Sequence, residues 1–282
     1  MEILDAQIHK PHPERDLGPD VTYEQADIVS IEVAIAAMDA VGVHGAVVNA
    51  DEIDFCELAV RLYPSRLMGV PRIVEPRSPD ADRTMRRVKE NRGLLSVRVT
   101  PGYPFDGSSM VPFREGAYDP LFAAAEKDGI PICVFIPGHL PDLRPVIQAH
   151  PDLVLIIDHI GMMPPPLVPV TTNTFDTLPD LLELARFPNV AVKFSGVPAL
   201  STGRYPFDDL WPKVGQIIDA FGAERLMWGS DYTRCKRLHS YAEAVGFLRY
   251  TDRLSESDKR MIFSGSLRRW MRWPSQSGAR TS

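Results

Sequence analysis

The sequence predicts a single (β/α)8 barrel of the TIM type, closed by short C-terminal helices. Eight strand-like segments alternate with helix-like segments without a long linker or a change of composition, which is typical of a barrel built on a parallel sheet. Several strand segments are continuous runs of Val, Ile and Leu, as expected for strands buried on both faces. The first strand is not followed by GxGxxG or GxxxxGK[ST], which disfavours dinucleotide-binding and P-loop folds.

Each element follows from its local pattern. Short apolar runs bounded by turn residues predict strands at 3–9, 45–49, 67–73, 95–99, 132–136, 154–158, 190–194 and 226–228. Apolar residues at helical spacing predict helices at 30–41, 55–63, 80–91, 119–127, 140–149, 178–187, 208–221 and 240–250. Closing helices are predicted at 255–263 and 266–270, which gives one domain over 1–274. Residues 275–282 are predicted to be a disordered tail.

Composition limits the classes of function. The chain has 282 residues, 44% of them hydrophobic and 24% charged, so it can bury a full core. A formal net charge of −6 argues against nucleic-acid binding, which needs a basic face. The three cysteines are far apart, which indicates neither a disulfide framework nor a thiolate zinc site. With no membrane-length apolar run and no leader pattern, the expected location is the cytoplasm.

Polar side chains stand where several predicted strands end. Asp231 follows the eighth strand, His159 the sixth, and Gln7 and His9 lie at the end of the first. The carboxyl ends of parallel barrel strands meet at one face, so these groups should converge. Because strand side chains alternate, Gln7 and His9 should point the same way. The sequence therefore predicts a catalytic centre of Asp231, His9 and His159 at the barrel mouth.

Four further residues are candidates for binding a small anionic substrate, together with Gln7. Lys193 and Ser195 end the seventh strand, although a salt bridge or a helix cap would explain them equally well. Arg98 ends the fourth strand, and its planar guanidinium suits a substrate carboxylate. Arg234 is a weaker candidate in the turn after the eighth strand. For Asp231 taken alone, a helix cap or a pair with Arg234 is the simpler interpretation.

Four segments in order resemble a known family. They are DAQIH at 5–9, PDLVLIIDHIG at 151–161, NVAVKFSG at 189–196 and FGAERLMWGSD at 221–231. Together they are similar to the amidohydrolase-related, metal-dependent hydrolases, and most similar to the group that contains 2-pyrone-4,6-dicarboxylate lactonase. The likeness spans nearly the whole chain. It implies a TIM-like barrel, a His-x-His pair on strand one, a histidine on strand six and an aspartate on strand eight.

This chain matches that pattern at His9, His159 and Asp231 and departs from it at Gln7, where the family has a histidine. Strand five also lacks the histidine of the metal-binding relatives. A glutamine amide is a poorer zinc ligand than imidazole, and the lactonase branch is thought to work without a metal. We therefore expect no metal, or a weakly bound zinc or manganese ion whose remaining ligands would be His9 and Asp231.

The resemblance implies hydrolysis of a small carboxylated lactone, of the kind formed in aromatic breakdown. Asp231 would activate water, and His9 and His159, with Gln7 and Lys193, would donate hydrogen bonds to the carbonyl oxygen. Two alternatives remain at this point: a metal-dependent decarboxylase of a small aromatic or unsaturated acid, and a non-catalytic barrel that only binds a ligand. The sequence does not identify the substrate or the oligomeric state, and a homo-oligomer is one of the open possibilities.

Overall fold

The computed structural model describes residues 1–10, 22–165, 167–235 and 238–274. Eight parallel strands pair in chain order from β1 to β8 in one sheet. The backbone N–H of Asp231, directly after the last strand, donates to the carbonyl oxygen of Gln7 in the first, so the sheet curls into a nearly closed barrel. The predicted (β/α)8 barrel is confirmed. The predicted tail at 275–282 lies outside the described residues.

The strands and helices have the following bounds. The strands are β1 Leu4–His9, β2 Gly45–Ala50, β3 Leu67–Ile73, β4 Val97–Val99, β5 Ile132–Val134, β6 Leu155–Ile157, β7 Val190–Ser195 and β8 Leu226–Gly229. The helices are α1 Tyr23–Val41, α2 Ile53–Leu62, α3 Pro79–Glu90, α4 Val111–Arg114, α5 Asp119–Asp128, α6 Leu143–Ala149, α7 Leu178–Leu184, α8 Trp211–Phe221, α9 Tyr232–Cys235, α10 Tyr241–Arg249, α11 Glu256–Arg260 and α12 Ser266–Trp270. None of the described helices is long and apolar enough to cross a membrane.

The first helix is longer than predicted. It begins at Tyr23 rather than near residue 30. The cause is a capping box: the Thr22 side chain accepts from the backbone N–H of Gln25, and the Gln25 side chain accepts from the backbone N–H of Thr22. This Thr-x-x-Gln pattern gives partners to two backbone N–H groups that would otherwise have none at the start of the helix.

Two apolar layers hold the barrel together. The larger lies between the strands and the surrounding helices. The smaller fills the barrel interior and includes Ala6, Ala191 and Met227. Leu267 and Trp270 of α12 belong to the same interior cluster, so the closing helices plug the barrel at the end opposite the strands' carboxyl ends. The predicted closing helices thus complete the core.

Inward-facing residues change from apolar to polar towards the carboxyl end of the strands. On β7 the series runs from Ala191 to Lys193 and Ser195, all buried. On β6 the apolar Ile156 is followed two positions later by Asp158. Because side chains alternate along a strand, each of these sets faces the same side of the sheet. The interior is therefore an apolar floor beneath a polar layer.

The first strand reaches this polar layer through an irregularity. The pairing register of β1 with β2 shifts between Asp5 and Ile8. Ala6 packs in the interior cluster, yet Gln7, the next residue, also contacts interior groups. Strict alternation would put Ala6 and Gln7 on opposite faces, and a bulge removes this conflict. The irregularity therefore delivers both Gln7 and His9 to the mouth.

Candidate active site

Asp231 lies at the centre of the polar layer, and one of its carboxylate oxygens has no hydrogen-bond partner in the described part of the chain. Its backbone has a positive φ of 50°, a conformation that Asp adopts more readily than most residues. The turn is held by the backbone bond to Gln7. The Sγ of Cys235 donates a weak hydrogen bond to Oδ2 at 3.7 Å. Oδ1 is buried and has no hydrogen-bond partner among the described residues, so it is free to accept a proton or bind a ligand.

His9 lies beside this carboxylate. Its Nε2 is 3.3 Å from Asp231 Oδ1 and 3.0 Å from Gln7 Nε2. Its backbone N–H donates to Thr233 Oγ1 at 2.8 Å, which ties the end of β1 to α9. The imidazole is thus placed from two sides, by the glutamine below it and by the turn after β8.

His159 approaches the same carboxylate from β6. His159 and Ile160 both have positive φ, 51° and 49°, and Gly161 continues the left-handed turn. A β-branched residue in this region is strained, and such strain concentrates at functional sites. His159 Nδ1 is 3.0 Å from Ser195 Oγ and 3.9 Å from Asp231 Oδ2. Ser195 Oγ also accepts from the backbone N–H of His159 at 3.3 Å, so Ser195 holds the histidine at two atoms.

Lys193 lies beneath Gln7 and is fully buried. Its Nζ donates to Gln7 Oε1 at 2.8 Å and is 3.2 Å from Asp158 Oδ1. Both near neighbours are protein groups, and Gln7 itself is turned towards His9. In this arrangement Lys193 contacts Gln7 and Gln7 contacts His9, and their hydrogen bonding to a substrate carbonyl stays a prediction.

The two candidate arginines differ in their pairing. Arg98 donates from Nε to Asp158 Oδ2 at 2.6 Å, and its guanidinium lies over the Phe135 ring at 5.1 Å. Arg234 is half-buried, and its guanidinium has no hydrogen-bond or ion-pair partner within the part of the chain that the structure describes. A desolvated guanidinium without a carboxylate partner is a ready anion site. Arg234 thus fits the anion-binding role at least as well as Arg98.

Burial and neighbouring charges shift the protonation of these groups. Burial raises the pKa of Asp231, partly offset by His159 and Arg234, so this carboxylate is a stronger base than an exposed one. Burial, together with the positive charges of Arg234 and Arg98, holds the pKa of His9 well below its ordinary value. Burial likewise lowers the pKa of His159. Both histidines are therefore neutral near pH 7.

Asp158 is an essential part of the site that the sequence interpretation left without a role. Burial acts to raise its pKa, but the ion pairs with Lys193 and Arg98 outweigh this and keep the pKa well below its ordinary value. Its position two residues after the inward-facing Ile156 was the signal in the sequence. A carboxylate between two buried cations compensates charges that would otherwise be costly to bury.

A second buried network was also missed. The Asp5 carboxylate accepts from the backbone N–H of Gln7 at 2.9 Å and of Ser230 at 2.9 Å. It also accepts from the hydroxyls of Ser230 and, at 2.8 Å, Tyr241. Asp5 therefore binds the residue that precedes Asp231. Its place in an apolar strand was the only signal, since Ser230 and Tyr241 lie 225 and 236 residues away along the chain.

The site can offer ligands to a divalent metal. His9, His159 and Asp231 each offer one ligand atom, and these atoms lie within 4.8 Å of one another. Imidazole and carboxylate suit zinc or manganese, and Asp231 Oδ1, which no described residue hydrogen-bonds, is a suitable ligand atom. The three residues therefore fit a divalent ion, on the condition that the Gln7 amide leaves His9 Nε2. The structure adds His159 to the two ligands expected from the sequence.

The chain matches a known protein family over most of its length. Residues 5–270 match the model of the amidohydrolase family, which covers nearly the whole chain. The chain belongs to the amidohydrolase family. This confirms the family expected from the four segments and covers every residue of the candidate site.

A curated relative matches only part of this chain, and two solved structures match nearly all of it at low sequence identity. L-fucono-1,5-lactonase of Burkholderia ambifaria is 38% identical over 99 residues, which are 34% of this chain and 32% of that protein. An amidohydrolase of Burkholderia multivorans with bound zinc has a TM-score of 0.75 at 21% identity, covering 97% of this chain and 100% of that one. A probable 2-pyrone-4,6-dicarboxylic acid hydrolase of Acinetobacter baumannii, with citric acid bound, has a TM-score of 0.70 at 16% identity, covering 97% and 100%. Both solved structures share the fold of this chain.

Proposed function

We propose that this protein is a hydrolase that opens a small carboxylated lactone, or a related cyclic ester, with Asp231 as the general base. The observation that carries the proposal is the buried Asp231 Oδ1, which has no hydrogen-bond partner among the described residues and belongs to a carboxylate with His9 near one oxygen and His159 near the other. The family and a lactonase-named relative support the reaction class. The matched segment covers only a third of that relative, so its own substrate is one candidate among several.

The reaction requires one proton acceptor and one proton donor. Asp231 takes a proton from water, and the water oxygen bonds to the lactone carbonyl carbon. When the tetrahedral intermediate collapses, the bond from this carbon to the ring oxygen breaks. Asp231 then returns its proton to the ring oxygen as it leaves. The products are a carboxylic acid and a hydroxyl in one open chain, so the net change is the addition of one water, and the new acid then releases its proton to solvent.

His159 is placed to stabilise the negative charge on the carbonyl oxygen. Nδ1 of His159 lies 3.0 Å from Ser195 Oγ, 3.4 Å from the Ser195 carbonyl oxygen and 3.9 Å from Asp231 Oδ2. In the form that we propose reacts, the Ser195 hydroxyl donates to Nδ1, and the imidazole proton lies on Nε2, on the opposite side of the ring. A neutral imidazole that donates from a buried position is an effective oxyanion donor. The edge-to-face contact with Phe135, with centroids 5.3 Å apart, fixes the ring plane.

The arginines give the site its preference for an anion. Arg98, Arg234 and Lys193 bring three positive charges to this part of the barrel, and Asp158, which pairs with both Arg98 and Lys193, compensates one of them. A substrate carboxylate on Arg234 would be held away from the reacting carbonyl and would fix its orientation. We propose a carboxylated rather than a neutral lactone for this reason.

A divalent metal, when bound, would be held by His9, His159 and Asp231 and would supply Lewis-acid polarisation and a more acidic water. Asp231, His159 and the arginines have the proposed roles through their own side chains.

The three cysteines are free and buried, which fits a reducing compartment, and we propose the cytoplasm. A homo-oligomer and the lack of nucleic-acid or membrane partners remain predictions from the sequence.

The test is hydrolysis of a lactone panel by protein that has been treated with a chelator and checked for residual metal. The panel contains 2-pyrone-4,6-dicarboxylate, L-fucono-1,5-lactone and a matched pair of lactones with and without a carboxylate. We expect turnover of a carboxylated lactone that survives metal removal. If no lactone turns over, with or without added zinc or manganese, the proposed function is wrong.

A further inference from the structure

Lys193 is a buried cation whose role is not explained by contact with a substrate. It is fully buried, and burying an ammonium is costly unless it is paired and hydrogen-bonded. Asp158 supplies the charge and Gln7 supplies the hydrogen bond. An ammonium can only donate hydrogen bonds. The Gln7 atom that faces Lys193 must therefore be the carbonyl oxygen.

This contact fixes the direction of the Gln7 amide. With Oε1 turned to Lys193, the amide nitrogen faces His9 Nε2 at 3.0 Å. An amide nitrogen only donates, so His9 Nε2 must accept. The proton of the neutral imidazole then lies on Nδ1. Two hydrogen bonds, starting from a buried charge, thus select one tautomer of His9.

The selected tautomer explains why His9 does not donate to Asp231. Oδ1 is 3.3 Å from His9 Nε2, close enough for a hydrogen bond. Nε2 has no proton to give when it accepts from Gln7. Asp231 Oδ1 therefore has no hydrogen-bond donor among the described residues, although a histidine lies next to it. The same amide N–H occupies the lone pair through which His9 Nε2 would bind a metal.

We propose that Lys193 and Gln7 act as positioning residues that lock His9 in the Nδ1–H tautomer, which keeps Asp231 free as a base and weakens metal binding at His9. We call the chain Lys193–Gln7–His9 the tautomer lock. Its catalytic consequence rests on the proposed hydrolysis. The tautomer and the metal affinity do not, so they can be measured without a substrate.

The first measurement is the protonation of His9 by ¹⁵N NMR in the wild-type protein and in Gln7→Glu, with the His9 signals assigned from a His9→Phe variant. A glutamate keeps the contact with Lys193 but cannot donate to His9. We expect His9 Nε2 to be unprotonated in the wild type and protonated in Gln7→Glu. Gln216→Glu, on the exposed face of α8, should leave the His9 signals unchanged. Finding His9 Nε2 protonated in the wild type would overturn the proposal.

The second measurement is zinc affinity by competition with a chromophoric chelator. Gln7→Leu removes the amide without adding a ligand, so zinc no longer competes with a hydrogen bond. At about 0.5–1.5 kcal/mol for that bond, we expect zinc to bind about two- to tenfold more tightly than in the wild type. Gln216→Leu is the matched control and should bind zinc like the wild type. An unchanged affinity in folded Gln7→Leu would also overturn the proposal.

Lys193 can be tested in the same way. Lys193→Met should free the Gln7 amide to rotate, so the His9 tautomers should mix. Lys259, a second buried lysine that pairs with Glu256 far from the mouth, gives the control Lys259→Met. If Lys193→Met does not fold because Asp158 loses its partner, the wild-type spectrum and Gln7→Glu still decide the matter. Failure of every lactone in the panel would leave these results unaffected.

Discussion

At the scale of single residues, the backbone of Asp231 bears on how its role can be tested. Its φ of 50° lies in the left-handed region, where Asp and Asn are several-fold enriched over other residues. Asparagine can therefore replace it with little strain. Most other substitutions would change both the backbone and the chemistry, and their effects on activity would be difficult to interpret.

Asp231→Asn should lower kcat by about 100- to 10,000-fold, the range expected for loss of a general base. Circular dichroism and the melting temperature should be close to those of the wild type. The control is Asp219→Asn, on the exposed face of α8, which should keep full activity. Substantial turnover by a folded Asp231→Asn would remove this residue from the role of base.

Arg234, whose guanidinium has no hydrogen-bond or ion-pair partner among the described residues, gives a second prediction. Arg234→Met removes a charged hydrogen bond to a substrate carboxylate, at about 1.5–3 kcal/mol. We expect KM for a carboxylated lactone to rise about ten- to a hundredfold, with a much smaller change for the matched neutral lactone. Arg186→Met, at the far end of the barrel before β7, should affect neither. Equal losses on both lactones would mean that Arg234 does not bind the carboxylate.

At the scale of elements, β8 brings the site residues of its two neighbours together. Gly229 lies between β1 and β7, and a Cβ there would be 2.8 Å from the Cβ of Ser195 and 3.1 Å from that of Gln7. Both contacts are with the first side-chain atom, which cannot rotate away. The absence of a side chain at Gly229 therefore allows Gln7 and Ser195 to stand close to Asp231.

Gly229→Ala should destabilise the protein by about 1–3 kcal/mol through overpacking and should also reduce activity, because Gln7 and Ser195 must move. Urea unfolding and kcat/KM measure the two effects. Gly215→Ala on α8 is the matched control, since a Cβ there meets nothing within 4 Å and alanine favours the helix. If the two variants are equally stable and active, the close approach at Gly229 has no energetic role.

The sequence predicted which elements meet but not how deeply their side chains lie. The carboxyl ends of the strands gave the convergence of His9, His159 and Asp231, because barrel topology alone brings them together. Alternation predicts that Lys193 points inward, but not that it stops beneath Gln7. Its partner is 186 residues away, and the register shift in β1 that turns Gln7 towards the barrel interior depends on tertiary packing. Neither feature has a local sequence signal.

At the scale of the whole molecule, two buried polar networks connect distant parts of the chain. The first runs from Arg98 through Asp158, Lys193 and Gln7 to His9. It joins β4, β6, β7 and β1 above the apolar floor. The second joins β1 to the end of β8 and to α10 through Asp5. Together they close the barrel on the side where the first and last strands meet, so stability and the geometry of the site depend on the same charges.

The pH dependence of stability should show the second network. Burial raises the pKa of Asp5 from the ordinary value of 3.8 to about 6, against the hydrogen bonds from Ser230, Gln7 and Tyr241 that lower it. Between these values the folded chain holds a proton that the unfolded chain has released. Stability from this group is therefore fully present below pH 3.8 and is lost as the pH rises through about 6. At about 1.4 kcal/mol for each pH unit, the loss is about 3 kcal/mol.

Asp5→Asn has no such proton, so the free energy of unfolding of the wild type relative to this variant should fall as the pH rises from about 4 to about 6.5. Urea unfolding across this window measures the difference, and Asp219→Asn, which changes an exposed carboxylate of the same type, should run parallel to the wild type. The amide cannot accept all four donors around Asp5, so a constant offset between variant and wild type is expected as well. The pH slope, not the offset, carries the prediction. Equal slopes for Asp5→Asn and the wild type would show that Asp5 titrates at the same pH in the folded and unfolded chains.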